Sequence, residues 1–301
     1  MRGTPVPSLH IPASVVGITT GPREHAVDAR WLMAYAAALG ETAPEYLDTT
    51  RPGGLLAHPL FPVCYEWPLA LDVRARALPD EVALHGVHAT HRLTVHRPIR
   101  AGDRLSTTAT VATLEPRAPG AYMVLRLETA DAAGRPVTTT DYGSLYLGIS
   151  CDPSPSPPPL SPEGRGQGEG APEPPGPPAW TTEVAISPTL AHVYTECARI
   201  WNPIHTDAEV AARASLPAII LHGTATLAMA VSRIIQAEAD NDPTRVAQIH
   251  GRFGAIVLMP SEVVVRVHSR ERHDRGEAVF FDVLNAEGGS AIRDGVVILR
   301  Q

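Results

Sequence analysis

At 301 residues, with 44% hydrophobic and 19% charged residues, the chain has room for two ordinary domains with sizeable cores. A formal charge of -7 excludes a general polyanion binder, which needs a net basic face, so nucleic acid is not an expected partner. The cysteines Cys64, Cys151 and Cys197 form no disulfide framework or metal-ligand spacing, the first 21 residues lack a signal-peptide core, and no apolar run reaches membrane-spanning length, which together predict a cytoplasmic protein away from membranes.

In chain order, residues 1–20 read as an N-terminal extension, and 21–150 as a first domain. It opens with a helical stretch from Val27 to Leu39, followed by Gly40-Glu41-Thr42-Ala43-Pro44-Glu45-Tyr46-Leu47-Asp48. Residues 60–72 hold two prolines and read as a helix in shortened or irregular form. Strand-like segments follow at His91–Val95, Leu105–Leu114, Tyr122–Thr129 and Pro136–Leu147, with Gly134 at a hairpin position. His85, His88, His91 and His96 do not keep to one face of a strand, so a wet strand edge is preferred over a metal site. Residues 151–180, dominated by Pro, Gly, Ser and Glu, cannot bury enough apolar surface to offset their ordering entropy and read as a disordered linker.

The remaining segment, 181–301, repeats the plan. A helical stretch from Thr189 to Cys197 leads into Arg199-Ile200-Trp201-Asn202-Pro203-Ile204-His205-Thr206-Asp207. Aligning Pro44 with Pro203 sets Tyr46 on His205, Asp48 on Asp207 and Glu41 on Ile200. Gly223 to Ala239 predicts a long helix buried nearly all round, with Leu227, Val231, Ile234 and Ile235 at three- and four-residue steps and Asn241-Asp242-Pro243 as its stop. Strands are expected at Val263–Arg270, Ala278–Leu284 and Ser290–Leu299.

Asn202-Pro203-Ile204-His205, with Pro217 and Leu221-His222-Gly223 farther on, resembles the signature of the MaoC-like dehydratases, the (R)-specific enoyl-CoA hydratases. The likeness extends over nearly everything outside the linker and the first 20 or so residues, the first half resembling the degenerate domain of two-copy members. It implies an α+β double hotdog, each half an antiparallel sheet of four or five strands wrapped around a central helix. One departure stands out. The family's Ser-Gly-Asp before the Asn-Pro is replaced by Ala198-Arg199-Ile200, and isoleucine carries no proton.

The resemblance implies chemistry on a thioester. His205 titrates near neutrality in its unperturbed form and is the proton carrier; Asn202 holds the turn or orients water. Gly223 and Thr224 open the long helix, whose free N–H groups suit an oxyanion, and His222 belongs to the same substrate-binding end, with a structural hydrogen bond to backbone as the plainer reading. Stand-ins for the missing aspartate are Glu196, Asp207 and, across the domain interface, Glu41. Arg199 faces either a ligand phosphate or solvent. The expected function is an acyl-CoA hydratase or dehydratase interconverting a 2-enoyl-CoA and a 3-hydroxyacyl-CoA, with coenzyme A only as substrate carrier and neither cofactor nor metal implied. Loss of the aspartate keeps open a non-catalytic acyl-CoA-binding protein or subunit, and the fold also admits a thioesterase. Pairing into a homodimer is left open.

Overall fold

The computed structural model describes residues 9–153 and 176–301; the core of the expected linker, 154–175, lies outside the described residues. Strands are β1 (His10–Ile11) and β2 (Arg23–Ala26), then β3 (Gly86–Val95), β4 (Arg104–Arg117), β5 (Gly120–Asp131), β6 (Pro136–Leu147) and β7 (Ser150–Cys151). The second half supplies β8 (Trp180–Ile186), β9 (Val246–Phe253), β10 (Ser261–His273), β11 (Gly276–Leu284) and β12 (Ser290–Leu299). Helices are α1 (Ala29–Ala38), α2 (Pro44–Leu47), α3 (Pro62–Ala77), α4 (Asp80–Ala83), α5 (Leu190–Ala198), α6 (Ala208–Arg213) and α7 (Gly223–Glu238).

Ten strands form one sheet in the order β2-β4-β5-β6-β3-β9-β12-β11-β10-β8. The order is the same five-strand sequence written twice, head to head, so the halves are two copies joined along β3 and β9. That seam is antiparallel, with His91 opposite Gly251 and Leu93 opposite Ile249. Within β4 and β10, buried and less buried residues alternate, as expected of strands with one face on a core. The helices α3 and α7 pack on this sheet, and one core runs through both halves, including Tyr35, Phe61, Tyr65, Tyr194, Leu227 and Ile234. The expected double hotdog is the observed fold.

Several local expectations change. The segment after Leu60 is no shortened helix: α3 runs 16 residues, as does α7. Pro62 sits at its first position, where no N–H is needed, and the turns on either side of Pro68 bury Tyr65, Glu66 and Leu69. Of the four histidines, His85 and His96 are exposed just beyond the two ends of β3, His88 is half-buried, and His91 is buried because β3 is a central strand at the seam rather than an edge. The described part of the N-terminal extension, residues 9–20, packs on the first half: β1 pairs in parallel with β7, Ile11 and Val15 are buried, and Thr19 bridges to Thr110.

The pairing of the repeats shows in the backbone. Gly40 and Arg199, matched by the Pro44–Pro203 alignment, both end their helices in the left-handed region, at φ 75° and 58°. Pro44 and Pro203 both open one-turn helices. At the junction the tyrosines that this alignment equates meet, with hydroxyls 3.4 Å apart; Tyr35 donates to the Leu60 carbonyl before α3 and Tyr194 to Thr224 Oγ1 at the start of α7.

Candidate active site

The left-handed residue at 199 folds the chain back on the end of α5. The Arg199 and Ile200 N–H groups both bond the Thr195 carbonyl. Ile200 then buries its side chain in the core, and Arg199, with a β-carbon in a conformation that favours glycine, lays its guanidinium 4.0 Å over the Trp31 ring of the first half. Arg199 is thus held against the other domain. Asn202 and Pro203 begin the next turn, which delivers His205 to a buried position 9% exposed.

His205 Nδ1 lies 2.8 Å from the Ile220 carbonyl, which fixes that nitrogen as the donor and leaves Nε2 with the lone pair. Burial lowers its pKa to about 4, partly opposed by the bond to Ile220, so the ring is neutral at pH 7 and ready to accept a proton. Its face stacks on His222, with centroids 3.7 Å apart and planes at 26°. His222 Nε2 is 3.2 Å from Thr195 Oγ1. Burial, and then the neighbouring His205, lower the His222 pKa to about 2, against the Ile200 backbone, which acts in the opposite sense. The His222 ring is therefore a wall, tied to α5, that orients His205. Beside the Ile200 backbone near the turn, the ring has a side-chain partner in Thr195.

His222 is also the residue before α7, and its side chain caps no N–H there. The first bonded amides of the helix are those of Ala225 and Thr226, both on the His222 carbonyl. Those of Gly223 and Thr224 precede them and are the orphan donors of a helix start. The Thr224 hydroxyl is already taken by Tyr194. Gly223 also has a packing reason to be glycine: a β-carbon there would sit 2.7 Å from Phe253 Cδ1. Beside this assembly a cavity of about 290 Å³ is lined by Thr195, Glu196, Trp201, Asn202, Pro203, Thr206 and His192. Trp201, 61% exposed, stands at its rim.

The three carboxylates considered for the missing aspartate separate clearly. Asp207 is a helix cap, accepting from the Glu209 and Val210 amides at 2.8 and 3.1 Å. Glu41 is buried beside Ser232 and Arg233, its carboxyl raised mainly by desolvation, with Oε1 lacking a partner. Ser232 is nine residues along α7 from Gly223, about 13 Å at the helical rise, so Glu41 cannot share a proton with His205. Glu196 alone shares a cavity with Asn202.

A second buried polar group, not foreseen in the sequence, lies in the first half. His58 accepts from the Leu60 amide at Nδ1 and reaches Ser232 Oγ at 3.2 Å, and its ring lies 5.8 Å from that of Tyr46, whose hydroxyl has no partner. The residues stand far apart in sequence, and His58 belongs to none of the repeated motifs, so no spacing announced the cluster.

Comparison with known proteins agrees with this layout. Residues 171–287 match the MaoC-like domain, and residues 14–140 match the dehydratase domain region of FAS1-like proteins. The peroxisomal enoyl-CoA hydratase 2 of Arabidopsis thaliana is 43% identical over 65 residues, 22% of this chain, so the match spans only 21% of that protein. The probable enoyl-CoA hydratase 2 of Dictyostelium discoideum is 23% identical over 285 residues, covering 92% of both chains. Among solved structures, a MaoC-like dehydratase from Phytophthora capsici superposes with a TM-score of 0.80 at 20% identity, covering 95% of this chain and 96% of that one. A Mycobacterium tuberculosis protein described as a double hotdog gives 0.62 at 17% identity, covering 95% and 96%. The chain is a double hotdog in which the segment that matches the MaoC-like domain carries the candidate site and the segment that matches the FAS1-like dehydratase region covers most of the other half.

Proposed function

We propose that the protein is a hydro-lyase that interconverts a 2-enoyl-CoA and a 3-hydroxyacyl-CoA. The observation that carries this reading is the orientation of His205: its Nδ1–H is spent on the Ile220 carbonyl, so Nε2 keeps its lone pair, next to the uncapped start of α7. The thioester oxygen accepts from the Gly223 and Thr224 amides. Asn202 holds a water. Nε2 takes one proton from it as the oxygen bonds to C3, the double-bond electrons move onto the thioester as an enolate, and the imidazolium then returns the proton to C2. The dehydration direction reverses each step. The full-length likeness to a probable enoyl-CoA hydratase supports the substrate class.

Hydration of crotonyl-CoA, followed by loss of the enoyl absorbance, tests the proposal. His205→Ala lowers kcat by about 10²–10⁴-fold, the usual effect of one positioned acid–base group. Equal rates in wild type and variant would remove His205 from the mechanism. A second reading, an acyl-CoA-binding protein without turnover, is favoured by one feature, Ile200. It predicts crotonyl-CoA binding that survives His205→Ala, with no hydration by either protein.

A further inference from the structure

Any hydratase built on this site must hold a water and balance the charge of a protonated imidazole, yet position 200 offers only a buried isoleucine. The carboxylate has to come from elsewhere. Asp207 is committed to two backbone amides, and Glu41 is buried beside Ser232 and Arg233, far along α7 from its start.

Glu196 differs from both. It lies on α5 next to Thr195, whose carbonyl receives the Ile200 amide, so the turn at 199 folds residue 200 back onto the turn of α5 that carries Glu196. It lines the same cavity as Asn202, and no other carboxylate among the described residues does. The inner wall of that cavity is Thr195, whose hydroxyl meets His222, and His222 in turn stacks on His205. The other charged or titratable groups near this space are His192 and Cys197 on α5, Arg199 at its end, His222 before α7 and Asp207 after the turn. Arg199 is drawn onto Trp31, and His192 bonds the Thr206 carbonyl.

We propose that Glu196 supplies the carboxylate that position 200 lacks: it accepts the second O–H of the water held by Asn202 and balances the charge on His205 while that ring holds the proton. Resting on the hydratase reading above, the step moves no atom beyond those already balanced. Water gives one proton to Nε2 and its oxygen to C3, the proton returns to C2, and the Glu196 carboxylate ends as it began. The site has then moved its negative group by one helical turn, from the loop to the helix that precedes it.

The test uses the full chain and crotonyl-CoA. Glu196 is exposed on α5, so Glu196→Gln leaves the packing intact. The expected result is a kcat lower by about 10²-fold with KM changed less than about threefold. The acid limb of the kcat/KM profile should also move to lower pH, since a negative neighbour favours the protonated ring. A merely structural glutamate would not move that limb. Adding Ile200→Asp to Glu196→Gln should recover at least about tenfold, and much less should be gained by Ile200→Asp in wild type. Wild-type kcat and an unmoved pH limb in Glu196→Gln would overturn the proposal. An inert wild type made active by Ile200→Asp would overturn this proposal and the hydratase reading together, whereas the preceding outcome overturns this proposal alone. If both proteins were inert, the hydratase reading would fall and Glu196 with it.

Discussion

Lowering the pH from 7 to 5.5 should cost this protein about 4 kcal/mol of stability. His58, His91, His205, His222 and His250 are all held well below the ordinary imidazole value, chiefly by burial, at about 3, 3, 4, 2 and 4. Each is neutral when folded and free to protonate when unfolded. Their contribution is therefore complete above pH 6.5 and is lost as pH falls below it, because the unfolded chain takes up protons that the native state refuses. Each such group loses about 1.2 kcal/mol over this interval, or roughly 6 kcal/mol for the five. Glu66 acts in the opposite sense. Burial raises its carboxyl to about 8, so the folded state holds a proton that the unfolded chain releases above pH 4.5, and its cost fades by about 2 kcal/mol as pH falls. The difference is a large share of the 5–15 kcal/mol typical of a domain. Urea unfolding at pH 7.0 and 5.5 measures it, and thermal melting should show a midpoint lower by roughly 10 °C at the acid end. A midpoint unchanged between the two would mean that these rings are hydrated or paired in the native state, and the argument for a neutral His205 would fail with them.

Glu66→Gln should be nearly neutral near pH 4, where the carboxyl it replaces is protonated in both states and Thr140 Oγ1 donates to it at 2.7 Å; at pH 7 the variant should be the more stable protein in urea titrations by about 3 kcal/mol, because it no longer has to hold a proton that the unfolded chain releases. Gly223→Ala should cost about 1–3 kcal/mol, because the new methyl meets Phe253, wedged against His88 with centroids 4.5 Å apart; Phe253→Ala in the same chain should cancel much of that excess in a double-mutant cycle. Arg199→Gly relieves the left-handed backbone while losing the contact with Trp31, so its stability should change by less than about 0.5 kcal/mol; Arg199→Ala keeps the strain, loses the contact, and should fall about 1 kcal/mol below the glycine variant in the same assay.

The features legible in the sequence are those set by local chemistry. The Pro44–Pro203 alignment, the long α7 and the turn at Gly134 each follow from residues whose backbone preference or periodicity acts over a few positions. The seam was not legible: nothing in Gly86–Val95 says which strand of the other copy it will pair with, and His88 and His91 there look like part of a solvated edge until β9 pairs alongside His91. Helix α3 was obscured for a related reason, since its mean hydropathy and two prolines argue against a helix that tertiary packing on β4 nevertheless sustains. At the site, the sequence offered His205 and the start of α7 as candidates through their motif, whereas the order of the three carboxylates depended on how the turn at 199 folds back, a through-space fact. The contact of Gly223 with Phe253 likewise joins residues from separate elements.

The two copies share a frame but not the donors that a thioester needs, and this confines the proposed chemistry to one half. Where α7 starts with Gly223 and a free amide, α3 starts with Pro62, which has none, and the next two amides, of Val63 and Cys64, turn back to the Leu60 and Phe61 carbonyls. No donor is left there for an enolate oxygen. Where the second copy presents His205, the first presents Tyr46, whose phenol is pushed up well above its ordinary value, mainly by desolvation, and cannot take a proton near neutrality. Glu41 thus offers a carboxyl where position 200 has isoleucine, but beside a weak base and without an oxyanion site. The first copy has the acid and the second has the imidazole and the amides, so a working centre requires the second to recover a carboxylate, and α5 is the nearest helix that carries one facing the cavity.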